Sequence, residues 1–206
     1  MVKLFRTIAI YILCAINPIG CTTSQVALDY SPPPAMLVAP AAQSLVAVGR
    51  FSDDRGEPSN WLGAIRGGYG NPLKNLETNE PVSDLVSQAF AAGLKARGLA
   101  AGSSGGRYLL SGSIKKLDCN QVARREANAE LEVVISESDG GKQVFSNVYR
   151  ASNVEGSVLS LATGVFASVE SLRVLAEKTL QQVVDQALDD PALRRALRAD
   201  PPAPTP

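Results

Sequence analysis

Apolar and polar positions change rhythm several times along the chain, and each rhythm predicts an element. From Val82 onward the apolar residues fall at Val82, Leu85, Val86, Ala89, Phe90, Gly93 and Leu94. That is the i, i+3, i+4, i+7 spacing of one buried helical face. Pro81 suits the first position of such a helix, where its missing N–H has no partner to lose, and Gly98 suits the end. A second stripe, Val169, Leu172, Ala176, Leu180, Val183 and Ala187, predicts a longer helix from Val165 to Leu188. Between the helices the period falls to two. Ala127, Ala129, Leu131, Val133 and Ile135 alternate with Glu126, Asn128, Glu130 and Glu132, which describes a strand with one dry and one wet face. Tyr108 to Leu117 and Lys142 to Ala151 read as its neighbours, the second one joined through the turn signal Asp139-Gly140-Gly141.

Earlier in the chain, Leu45 to Phe51 is a β-rich run closed by Ser52-Asp53-Asp54. The glycine-rich stretch that follows is too long for a structureless loop. Trp61–Arg66 and Leu73–Leu76 can pair there as a projecting hairpin around Gly67-Gly68-Tyr69-Gly70-Asn71. Leu99-Ala100-Ala101 reads as one more short strand. The order is strand, hairpin, helix, strands, helix. It predicts an α+β domain over residues 44–190, a mainly antiparallel sheet with two amphipathic helices packed on one face. Residues 191–206 read as a short basic turn with Arg194, Arg195 and Arg198, then a Pro-rich tail that cannot continue a helix.

The N-terminus is patterned differently. Lys3 and Arg6 precede an uncharged run, Thr7–Ile16, after which Asn17-Pro18 breaks the pattern and Ile19-Gly20-Cys21 follows. A cationic start, an apolar centre and a small residue at the end are the three parts of an export signal. The apolar run of about ten residues falls short of the roughly 20 that span a bilayer. Gly20-Cys21 resembles the end of a bacterial lipoprotein signal, in which the cysteine is diacylated and becomes the mature N-terminus. Pro18 departs from that pattern, which prefers Leu there. Residues 1–20 are therefore expected to be the signal, and Cys21 the site of lipid attachment and palmitate incorporation. The alternative is an ordinary cleaved signal with an incidental cysteine. Residues 21–43, with Ser31-Pro32-Pro33-Pro34 and Ala39-Pro40, read as an extended tether.

Composition narrows the chemistry. The 206 residues carry 20 basic and 20 acidic side chains. Lys3 and Arg6 leave with the signal, so the mature chain has 18 against 20, and no concentrated basic surface for nucleic acid. Of three cysteines, only Cys119 lies in the body, so no internal disulfide can form. Histidine is absent, which excludes Ser-His-Asp and Cys-His catalysis. No metal ligand set, cofactor or catalytic residue is expected, and the chain is not expected to be an enzyme. Ser113-Ile114-Lys115-Lys116 matches a Ser-x-x-Lys motif, but in a strand residues three apart point to opposite faces. Asp53-Asp54-Arg55 reads as a local Asp–Arg pair at a strand end, or else as a site for a cation or amine. Trp61 and Tyr69 on the hairpin, with Arg55, form a candidate interaction surface, since aromatic residues are enriched at interface cores. The other reading is that Trp61 caps the sheet.

Tyr149-Arg150-Ala151-Ser152 followed by Asn153-Val154-Glu155-Gly156 resembles the YajG-like family of bacterial outer-membrane lipoproteins. Leu94-Lys95-Ala96-Arg97-Gly98 looks like that family's helix end, and Asp53-Asp54-Arg55 with Leu62-Gly63 like its Asp-x-Arg and Ile-Gly elements. The resemblance spans about Val46 to Leu188. It implies a lipid-anchored, periplasm-facing envelope protein of the outer membrane, with Thr22 after the cysteine favouring outer-membrane sorting. It supplies no catalytic residue, and only Cys21 carries a chemical role across. The expected partners are the membrane, through the lipid, and an envelope protein. The alternative from another class is a periplasmic small-ligand or glycan-binding protein.

Overall fold

The computed structural model describes residues 22–34, 46–102, 105–156 and 168–198. The signal, Cys21 and the Pro-rich tail lie outside the described residues. In chain order come strands β1 (Thr22–Val26), β2 (Val46–Asp53), β3 (Trp61–Arg66) and β4 (Pro72–Thr78), then helix α1 (Val82–Ala96). Strands β5 (Tyr108–Gln121), β6 (Arg125–Glu137) and β7 (Gln143–Glu155) follow, and helices α2 (Val169–Leu188) and α3 (Pro191–Arg198) close the chain.

The strands form one seven-stranded sheet in the order β1-β4-β3-β5-β6-β7, with β2 also paired to β5. Strand β5 organises it. One edge of β5 is held by β6 from end to end, while the other edge is shared. There β2 pairs with Tyr108–Ile114 and β3 with Cys119–Gln121. The pairs β1/β4, β2/β5 and β3/β5 are parallel, and β3/β4, β5/β6 and β6/β7 antiparallel. The α+β class holds, but the expected mainly antiparallel sheet is corrected to a mixed one. Alternation reports which face of a strand is dry and says nothing of its neighbour's direction. Parallel neighbours need long crossovers, which the hairpin and α1 supply between β2 and β5.

Both long helices pack on one face, α1 against β2 and α2 across β5, β6 and β7. All seven apolar positions of the α1 stripe are buried, and Gly98, with φ of +65°, turns the chain out beyond the helix. Phe90 of α1 stacks on Phe51 of β2 with ring centroids 5.0 Å apart. Leu131, Val133 and Ile135 of β6 are fully buried beneath the helices, each such side chain contributing about 1.5–3 kcal/mol. Glycine at 63 permits the closest approach in the sheet: a Cβ there would stand 1.6 Å from the Cys119 carbonyl oxygen.

Two expectations about the chain ends are corrected. The basic turn is a helix, α3, because Leu193 and Leu197 lie four residues apart and both bury against the core. The expected tether is packed structure over residues 22–34. Strand β1 adds in parallel to β4, and Val26 and Leu28 are buried. The Asp29 N–H then donates to Glu177 of α2. The expected strand at Leu99–Ala101 reduces to a single bridge, Val46 to Ala100.

Candidate functional site

At the middle of β5 one neighbour ends before the next begins, and Arg55 fills the gap. The Asp54 N–H donates to the Ile114 carbonyl at 3.0 Å, the last backbone bond on the β2 side. The Arg55 guanidinium then donates to the carbonyls of Trp61 at 2.7 Å and Leu117 at 3.1 Å. Its Nε and Nη2 hold both carboxylate oxygens of Asp53 at 2.8 Å. These hydrogen bonds keep the Asp53 carboxyl below the usual carboxylate range, with partial burial opposing them. Only 3% of the Arg55 side chain is exposed. Arg55 is thus corrected from a surface residue to the joint between β2, β3 and β5. It meets Trp61 through the backbone carbonyl of that residue.

Trp61 and Tyr69 do not form one patch. Trp61 begins β3 and is half-buried, whereas Tyr69 lies past its far end and is fully exposed. The six residues of β3 between them span about 17 Å. At the tip the Gly67 N–H donates to the Asn71 carbonyl and the Gly70 N–H to the Gly67 carbonyl, with Gly70 at φ +82°. That conformation suits glycine; Tyr69 at the tip is fully exposed, and Leu73, just past the turn, is 54% exposed.

The sheet face away from the helices carries rows of polar partners across β5, β6 and β7. Lys116, Glu130 and Arg150 stand in one row, and Asp118, Asn128 and Ser152 in the next. A bulge at Lys115 inserts an extra residue in β5 between Ile114 and Lys116. It brings Ser113 and Lys116 onto the same face, which strand alternation alone excludes. They nonetheless take separate partners. The Ser113 hydroxyl donates to Glu132 at 3.1 Å, and Lys116 lies 3.8 Å from Asp118. Lys115 donates to Asp54 at 2.7 Å, and that bond raises its pKa and keeps it an ammonium. Beside these groups lies a shallow, open depression of about 360 Å³ lined by Arg50, Ser52, Ser111, Ser113, Glu132 and Val134. Cys119 faces the other way, fully buried, and burial with the nearby Asp118 carboxylate pushes its thiol up to about 12. At neutral pH it is an un-ionised core side chain.

A second cluster, unsignalled by any motif, ties the N-terminal segment to both helices. Arg97, at the end of α1, donates to Asp185 and twice to Asp189, each at 2.9 Å. Tyr30 donates its hydroxyl to the same Asp185 at 2.6 Å. Burial, and then the Asp185 hydrogen bond, push the Tyr30 hydroxyl up to about 12. Gly93 leaves room for the tyrosine, since a Cβ there would stand 3.0 Å from its hydroxyl.

A sequence model of a family described as uncharacterized lipoproteins matches residues 45–198. The chain belongs to that family. The match is consistent with the resemblance to YajG-like lipoproteins and indicates association with the cell envelope. Among curated proteins, none matches the sequence. In fold the chain is similar to protein XCC0632 from Xanthomonas campestris, with a TM-score of 0.58 at 16% identity over 81% of this chain and 92% of that one. More distant likenesses include a minor lipoprotein from Acinetobacter baumannii, with a TM-score of 0.34 at 16% identity over 68% and 96% of the two chains. Another is the PelC dodecamer from Paraburkholderia phytofirmans, with a TM-score of 0.41 at 16% identity over 75% and 92%. Among the described residues, no helix is long and apolar enough to cross a membrane.

Proposed function

We propose that the chain is a lipid-anchored, periplasm-facing lipoprotein of the outer membrane whose single α+β domain serves as a non-enzymatic interaction or accessory module. The observation that carries this reading is the lipoprotein family match over residues 45–198, joined to a signal-like segment that ends in Gly20-Cys21. Cys21 is the attachment point for the lipid. The non-catalytic part is supported by the state of the reactive groups. Ser113 and Lys116 take separate acidic partners, Cys119 is buried as a thiol, and histidine is absent. The second reading, a small-ligand or glycan binder, draws only on the open depression beside Ser113. That hollow lacks the enclosure by which ligand pockets bury most of their ligand.

The test is palmitate labelling with membrane fractionation in a Gram-negative host, comparing the wild type with Cys21→Ala. Label and outer-membrane recovery that both vanish in the variant are expected. An unlabelled wild type released with the periplasmic contents would overturn the anchored reading.

A further inference from the structure

The register of β1 fixes where a lipid on Cys21 would sit. Thr22 pairs with Lys74, and β1 runs parallel to β4 from there to Val26 opposite Thr78. The bond from Thr22 back to residue 21 therefore leaves the sheet at the β3–β4 hairpin end. A lipid on Cys21 would thus be tied to the sheet through Thr22, opposite Lys74, with one peptide step of about 3.8 Å between the two residues. Because β1 begins directly after Cys21, no slack separates the lipid from the folded sheet.

That end of the sheet differs from the rest of the surface. It carries the hairpin tip, the β5–β6 turn and the last residues of β7, because Ile65 is level with Gln121 and Arg125 with Glu155. Among the described residues seven large apolar side chains are exposed, and four of them are here: Tyr69, Leu73, Val122 and Val154. The opposite end, around Asp139-Gly140-Gly141, has Leu109 of that set. The strand ends here carry Arg66, Lys74 and Arg125, with Glu155 opposite Arg125, while Arg124 is paired to Glu126. An exposed tyrosine on a tight turn, with aliphatic neighbours and a positive rim, has the chemistry of a bilayer interface. Aromatic rings sit there at headgroup depth, and cations meet anionic lipid.

We infer that this hairpin end lies on the surface of the phospholipid bilayer that holds the lipid, with Tyr69 and Leu73 inserted at headgroup depth. The domain then stands end-on, its polar sheet face and its helices turned sideways to the membrane. The inference rests on the lipid reading of Cys21.

The test uses the full lipidated chain in vesicles of phosphatidylethanolamine and phosphatidylglycerol. Tyr69→Cys, Val122→Cys and Lys142→Cys, each carrying an environment-sensitive dye, report the two ends. These positions are exposed, Cys119 is fully buried, and a lipidated Cys21 carries no free thiol, so dye labelling of the lipidated chain is confined to the new thiol. Dye at 69 and 122 should shift to the blue and lose emission to a quencher on the lipid chains, while dye at 142 stays in water. Palmitate labelling of the same samples separates the two readings. Labelled protein with no shift at 69 overturns the end-on docking alone, and unlabelled protein overturns the anchor as well. A shift at 69 that the lipid quencher does not touch would mean a second copy covers the hairpin, which also overturns it.

Discussion

At the scale of single residues, the most demanding position is Arg55, where one guanidinium closes the joint of three strands. Removing it strands the Leu117 and Trp61 carbonyls and leaves Asp53 without its counter-charge. Breaking a buried pair of this kind costs about 3 kcal/mol, so Arg55→Met should lower the urea midpoint by that equivalent. Arg55→Lys should recover little, because one ammonium cannot serve two carbonyls and both carboxylate oxygens. The pH dependence follows from the lowered Asp53 pKa. Its contribution is complete above the unfolded value of about 3.9, and is lost as pH falls through the lower folded value. The gap in urea midpoint between the wild type and Arg55→Met should therefore be smaller at pH 3 than at pH 7, the remainder being the two stranded carbonyls. The Asp53–Arg55 pair was legible from spacing alone. The carbonyls that share the guanidinium were not, since Leu117 stands 62 residues away in the chain.

At the scale of elements, legibility followed burial on one side. Helix α1 and strand β6 bury a full stripe and a full alternating face, so both read directly from the sequence. Strand β1 buries only Val26 among Thr22–Val26, which leaves no periodic signal, and its partner β4 lies about 50 residues on. Prolines just beyond it then made the whole segment read as a tether. Helix α3 was written in Leu193 and Leu197, but four residues of spacing inside an arginine-rich octet passed for a charged turn. The clamp on the N-terminal segment makes the correction testable. Tyr30→Phe removes the hydrogen bond to Asp185 at a cost of about 1 kcal/mol, read as faster hydrogen exchange over residues 22–30. The raised Tyr30 pKa gives the sign at high pH. Its contribution is complete below the unfolded tyrosine value of about 10 and is lost as pH rises toward the folded value of about 12. Wild-type protection over this segment should fall across that window, while Tyr30→Phe stays flat.

At the scale of the whole molecule, the pairing of β1 with β4 sets how the proposed anchor would orient the domain. A chain anchored through a long coil samples every orientation, whereas one anchored a single residue from a paired strand is confined. With the proposed lipid on Cys21, the confinement would present the end that holds Tyr69, Leu73 and Val122, because β1 runs parallel to β4 and starts opposite Lys74. None of this could be read from the sequence, in which Cys21 and Tyr69 are 48 positions apart and the intervening prolines suggest slack. Inserting a twelve-residue Gly-Ser linker between Cys21 and Thr22 should restore that slack. Such a linker has an end-to-end distance of about 20 Å, against one peptide step in the natural chain. Palmitate labelling and thermal stability should be unchanged, since β1 keeps its pairing. The blue shift of a dye at position 69 should retreat part of the way toward its value in water, because the effective concentration of the hairpin at the bilayer falls with linker length. A shift that survives the linker intact would mean that the hairpin binds lipid unaided and that the position of β1 plays no part in the orientation.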